Sequence, residues 1–182
     1  MTTLRAGARR PTGPSQPRYR WRHAALVGTL ANLASALPAG YNGDEDYYAS
    51  LRTPPGSPPG WLFAPAWAIN NVLTLWSNLR VANLPPHTPG RHVALASEGL
   101  TWALFASFSG LYFGLRSPRL GALVTVAGLA TTIHGVVTTA RLDRAAAGAL
   151  APRLLWLGYA SYVSVGTALR SPDPLLGRSR DG

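Results

Sequence analysis

The sequence predicts an all-α membrane protein, a bundle of five transmembrane helices. Three observations lead there. Apolar segments at 23–41, 60–80, 92–115, 119–141 and 150–170 each hold about 20 residues, enough for a helix rising 1.5 Å per residue to cross ~30 Å of hydrocarbon. The 17 basic residues are all arginine, and they fall between these segments or close to their ends. None of the five alternates with the period of two that a barrel strand requires.

The net charge of +10 would by itself suit nucleic acid or an anionic lipid surface. Its placement favours the membrane, because a nucleic-acid binder gathers its cations on one folded face. No partner nucleic acid is therefore expected. The absence of cysteine excludes a disulfide framework, a thiolate metal site and a cysteine nucleophile.

Residues 1–22 carry Arg5, Arg9, Arg10, Arg18, Arg20 and Arg22 among three prolines, without apolar periodicity. They read as a disordered basic tail. The first apolar segment contains Asn32 and ends in ASALPAG, a pattern that also fits a cleaved signal peptide. Between the first and second segments lies a loop rich in proline and aromatic residues. Ser57 before Pro58 and Pro59 reads as the start of the second helix, with serine as cap and proline in the first turn. An interfacial aromatic belt would account for Tyr47, Tyr48, Trp61 and Phe63. The third segment carries Glu98, Trp102, Phe105, Ser109 and Tyr112 along one helical face, and a carboxylate within a span points to a function. Arg91, about two turns away, is a candidate partner for it. The fourth segment carries Gly121, Thr125, Gly128, Thr132, Gly135 and Thr139 at steps of three and four. Such a stripe of small residues is a packing face for another helix, in this chain or in a second copy. His134 in the same segment is a packing residue or a titrating group. Residues 171–182 read as a polar C-terminal tail.

Eleven arginines, Arg153 among them, fall on the side of the N-terminus and six on the other. This predicts the N-terminus inside and, after five spans, the C-terminus outside. The all-arginine composition fits a GC-rich bacterial genome, hence a bacterial cytoplasmic membrane.

The stretch YYASLRTPPGSPPGWLFAPAW, residues 47–67, resembles the signature of the TspO/MBR family, the tryptophan-rich sensory or translocator proteins. Tyr48, Leu51, Pro54, Pro58, Pro59, Trp61, Phe63, Pro65 and Trp67 occupy matching positions without a gap. LYFGLRSPRLG (111–121) is similar to the family's ending of helix three, and LAPRLLWLGYASY (150–162) to its opening of helix five. The similarity covers residues 24–170, within a domain taken as 23–170.

The resemblance implies a five-helix bundle, usually a homodimer, whose first loop caps a ligand cavity. It implies a tetrapyrrole ligand such as protoporphyrin or a haem-type relative, or a sterol-like molecule, with no cofactor required. Tyr48 would face the ligand from the lid. Trp67 and Trp156 would be cavity tryptophans, and Ala160 would leave room below Trp156. Trp61, Phe63, Trp102 and Phe105 complete the expected aromatic lining, with Glu98 as a replacement polar contact. Several positions depart from the family: Phe105 and Phe108 stand for Asn and Trp, Gly110 for Pro, Arg153 for Tyr, and Asn70–Asn71 for Leu-Tyr.

The spans contain no Ser/His/Asp arrangement, no two-carboxylate pair and no metal-ligand spacing. A receptor acting as sensor or scavenger is therefore the leading expectation. A porphyrin or lipid transporter using Glu98 and His134 is the alternative. So is a light-dependent porphyrin-degrading enzyme using Trp67 and Trp156 as photochemical relays.

Overall fold

The computed structural model describes residues 17–38 and 43–177. The basic tail up to residue 16, and residues 178–182 of the polar C-terminal tail, lie outside them, as do the side chains of Asp44 and Glu45. The described residues form helices α1 (Trp21–Ala36), α2 (Gly43–Ser50), α3 (Phe63–Ala82), α4 (Arg91–Ser109), α5 (Pro118–Ala140), α6 (Arg144–Ala149) and α7 (Ala151–Arg170). A 3-10 turn at Gly60–Leu62 leads into α3, and α4 runs on through a π turn at Gly110–Gly114. No strand occurs among the described residues.

The five long helices follow the five apolar segments to within a few residues, except that α1 stops at Ala36. Among the described residues, by length and apolarity alone, only α5 is sufficient to cross a membrane. α1 is too short, at 16 residues, and α3, α4 and α7 carry polar residues that prove to be buried. Asn70, Asn71, Thr74 and Ser77 of α3 are all buried.

α5 is the central helix, packed along α4 on one side and α7 on the other. Its small-residue stripe is the reason, since Gly121, Thr125, Gly128, Thr132, Gly135 and Thr139 are all buried. A Cβ at Gly135 would lie 2.6 Å from Glu98 Oε1 of α4, and one at Gly121 would collide with the Tyr112 ring. The stripe therefore packs within this chain. α5 begins with Ser117 accepting from the Leu120 N–H at 3.2 Å, with Pro118 in its first turn. α6 is capped in the same way by Asp143, which accepts from the Ala146 N–H at 3.0 Å and an N–H of Arg80 at 2.7 Å.

Two expectations are corrected. Ser57 does not cap the second helix. Its hydroxyl donates to the Pro54 carbonyl at 2.7 Å, closing a turn in which Gly56 has φ +79°. Proline followed by glycine supplies this geometry, because the left-handed position suits a residue without Cβ. Residues 171–177 are not a free tail either. Asp173 is buried and accepts from Ser117 Oγ at 2.7 Å and from the backbone N–H groups of Arg119, Leu175 and Leu176.

Candidate functional site

Between α1, α3, α4, α5 and α7 lies a cavity of about 830 Å³. Its roof is the segment from α2 to the start of α3. That roof is fastened to α7: Tyr162 donates to the Pro55 carbonyl at 3.0 Å, Tyr159 to the Gly56 carbonyl, and Pro54 sits against Gly166 at a point where no Cβ would fit. Tyr48 closes the loop on itself by donating to the Pro58 carbonyl at 3.0 Å. Burial raises the Tyr48 phenol above its ordinary value, with Tyr159 adding to the effect, so the hydroxyl stays a neutral donor. The Arg52 N–H donates to Ser171 Oγ at 2.9 Å, tying the roof to the segment after α7 as well.

The walls are aromatic rings in edge-on or tilted contact. Tyr48 meets Phe63 at 5.6 Å between ring centroids, Phe63 meets Trp156 at 5.7 Å, Trp67 meets Phe105 at 4.9 Å and Phe105 meets Trp102 at 5.7 Å. Such pairs hold one another at fixed angles and add ~0.5–1.5 kcal/mol each beyond burial. Eight of the nine sequence-predicted site residues line this cavity: Tyr48, Trp61, Phe63, Trp67, Trp102, Phe105, Trp156 and Ala160. Trp61 stands at the mouth, 69 % exposed.

Glu98 is the exception. It is buried and paired with Arg153, with Nη2 to Oε1 at 2.7 Å and Nη1 to Oε2 at 2.9 Å. Arg153 is the member that lines the cavity, and its Nη1 also donates to Thr74 Oγ1 at 3.2 Å. Asn78, in the amide orientation its neighbours require, donates to Glu98 Oε2 at 3.1 Å and accepts from Trp102 Nε1 at 2.9 Å. Glu98 faces a smaller groove of about 220 Å³ between α1, α3 and α4. Arg91, the partner considered from sequence, donates instead to the Ala82 carbonyl at 2.7 Å. His134 pairs through Nδ1 with Ser97 Oγ at 3.2 Å.

Sequence reasoning missed Arg153, Asn71 and Thr74 as wall residues. Asn71 donates to Asn32 Oδ1 at 3.2 Å, so the asparagine that weakens the first apolar segment has a partner on α3. The signal was present in Asn70–Asn71 and Arg153, which depart from the pattern of the resemblance in places where a span would otherwise be apolar.

These features define a class: an all-helical protein built around a roofed, aromatic-walled chamber. The chain belongs to the TspO/MBR family, whose model matches residues 24–170. Among similar proteins, the tryptophan-rich protein TspO of Chlorobaculum tepidum is 27 % identical over 138 residues, covering 76 % of this chain and 84 % of that one. The translocator protein of Bos taurus is 28 % identical over 149 residues, covering 79 % and 87 %. Proteins of this family are associated with membranes.

Proposed function

We propose that the protein is an integral membrane receptor that takes up a tetrapyrrole, or a similarly flat apolar molecule such as a sterol, and acts as a sensor or scavenger. The observation that carries this reading is the roofed cavity of about 830 Å³. It is large enough for one macrocycle, within the usual range for small-molecule sites, and walled by rings that offer area and offset stacking. All five long helices cross a bacterial cytoplasmic membrane in this reading, with the N-terminus inside. Arg153 leaves the count of inside loop charges because it is buried, and ten arginines against six still give that orientation. A homodimer would have to use a face other than the α5 stripe, which is consumed inside the chain.

The test is a titration with protoporphyrin in the dark, read by tryptophan fluorescence quenching of the protein in detergent. Saturable quenching is expected, weakened about 2- to 10-fold by Trp67→Phe or Trp156→Phe, the loss of one stacking contact. Absence of saturation in the wild type would remove the reading. Repeating the series in light distinguishes storage from destruction: loss of the porphyrin absorbance only on illumination would make the protein a photo-oxidative enzyme with these tryptophans as relays.

A further inference from the structure

Two carboxamides meet where α1 and α3 part from each other. Towards the start of α1 the two helices are in tight contact, and a Cβ at Gly28 would come within 2.8 Å of Leu75 Cδ1. One turn further along α1, Asn71 Nδ2 donates to Asn32 Oδ1 at 3.2 Å, and Asn32 Nδ2 donates to the Gly28 carbonyl at 2.7 Å. Beyond this pair both helices present small residues, Ser35 and Ala36 on α1 and Ala64 and Ala68 on α3, and all four line the cavity. Asn32 and Asn71 line it too, so the pair stands at the point where the seam opens into the cavity.

A carboxamide has two N–H donors and an oxygen that can accept twice. The two bonds use one N–H of each residue and one lone pair of Asn32. Among the described residues no other hydrogen bond reaches either side chain. The Asn71 oxygen therefore accepts nothing, and one N–H of each amide is unanswered. Away from water such open groups are costly. Neither residue is closed off, in contrast with Ser77 Oγ, which is sealed in the bundle without a partner. Asn32 is exposed, and Asn71 is 8 % exposed.

We infer that Asn71, positioned by Asn32, is a specificity subsite for a hydroxyl group on the ligand in the cavity. A hydroxyl can donate to the Asn71 oxygen and accept from an amide N–H at once. A carbonyl or ester would leave the oxygen unanswered. A charged group is disfavoured, because Arg153, the only charged residue among those lining the cavity, is already balanced by Glu98. Any further charge away from water would be uncompensated. The ligand class is thus a flat apolar ring system with a free hydroxyl at its edge. This rests on the cavity reading proposed above, and the experiment separates the two.

The probes are haematoporphyrin dimethyl ester, which carries two hydroxyethyl groups, and mesoporphyrin dimethyl ester, which has ethyl groups in their place and is otherwise the same. Each is titrated in one detergent into wild type, Asn71→Leu and the double variant Asn32→Leu/Asn71→Leu. The double variant leaves no amide stranded and carries the test if the single one does not fold. Wild type is expected to bind the hydroxylated porphyrin at least as tightly as the other. In the variants mesoporphyrin ester should still saturate, while the hydroxylated ester loses about three- to tenfold relative to it, the worth of one hydrogen bond. Comparing the ratio of the two dissociation constants between proteins cancels the different partitioning of the probes into detergent. A merely structural role for the amides would weaken both porphyrins together and leave the ratio at its wild-type value, which overturns the inference. Wild type that rejects the hydroxylated ester and binds the other overturns it too, while leaving the cavity reading intact. Failure of both porphyrins to saturate the wild type would remove the cavity reading itself.

Discussion

Glu98 and Arg153 lie on different helices, 55 positions apart, and both are nearly inaccessible to solvent. Burying two charges is costly, and such a pair gives little net stability over apolar residues of similar size, yet stranding one member costs about 3–5 kcal/mol. Glu98→Gln is therefore expected to destabilise the protein by roughly that amount. The Glu98→Leu/Arg153→Met double variant should sit much closer to wild type. Chemical unfolding in detergent, following the tryptophan signal, checks both, and equal damage in the two would mean that the pair is not the source. Glu98 stood out in the sequence as the one carboxylate inside a span, but its partner did not. Arg91 was nearer in the chain and Arg153 looked like a loop cation. Only the packing of α7 against the bundle turns Arg153 inward, and no local pattern encodes that packing. The aromatic wall was far more legible, because Tyr48, Phe63 and Trp67 sit in one ordered stretch whose spacing survives in the fold.

Helix α5 shows how much an element can disclose through its periodicity. The stripe of glycine and threonine was visible as a packing face, and the structure makes it the seam against α4 and α7. Its three glycines differ in a way that sequence could not give, since the difference depends on what stands opposite. A Cβ at Gly135 would lie 2.6 Å from the Glu98 carboxylate, whereas one at Gly128 would meet Leu157 at an ordinary 3.9 Å. Gly135→Ala should cost about 1–3 kcal/mol through forced displacement of the ion pair. Gly128→Ala should be neutral or slightly stabilising, because alanine is preferred over glycine by about 0.5–1 kcal/mol within a helix. Melting temperatures of the two variants, measured in one detergent, are the comparison; equal losses would place the tight contact elsewhere. The short helices α2 and α6 escaped detection for a different reason. At eight and six residues they carry too little apolar pattern to register, and α6 is set mainly by its Asp143 cap.

At the scale of the whole molecule, the roof, the start of α5 and the segment after α7 form one fastening outside the bundle core. Asp173 is its centre. Burial raises the carboxyl's pKa, but the hydroxyl of Ser117 and the N–H groups of Leu176, Arg119 and Leu175 outweigh this and hold it below the ordinary aspartate value of 3.8. A group whose folded pKa is depressed contributes stability that is present above its unfolded value and is lost as pH falls through the folded one. The fastening is therefore complete at neutral pH and fails only in acid below about 3.8. Asp173→Asn removes the charge and one acceptor. It is expected to cost about 1.5–3 kcal/mol at neutral pH, the range for hydrogen bonds to a charged group, and to flatten the dependence of stability on acid. Because Ser171, two residues earlier, accepts from the Arg52 backbone, the damage should reach the roof before the bundle. Limited proteolysis at Arg52 follows it directly. Faster cleavage there, with the melting of the remaining helices little changed, would establish that the segment after α7 latches the roof of the cavity. Unchanged cleavage would mean that the contacts of Tyr159 and Tyr162 with the proline turn are sufficient to hold the roof shut.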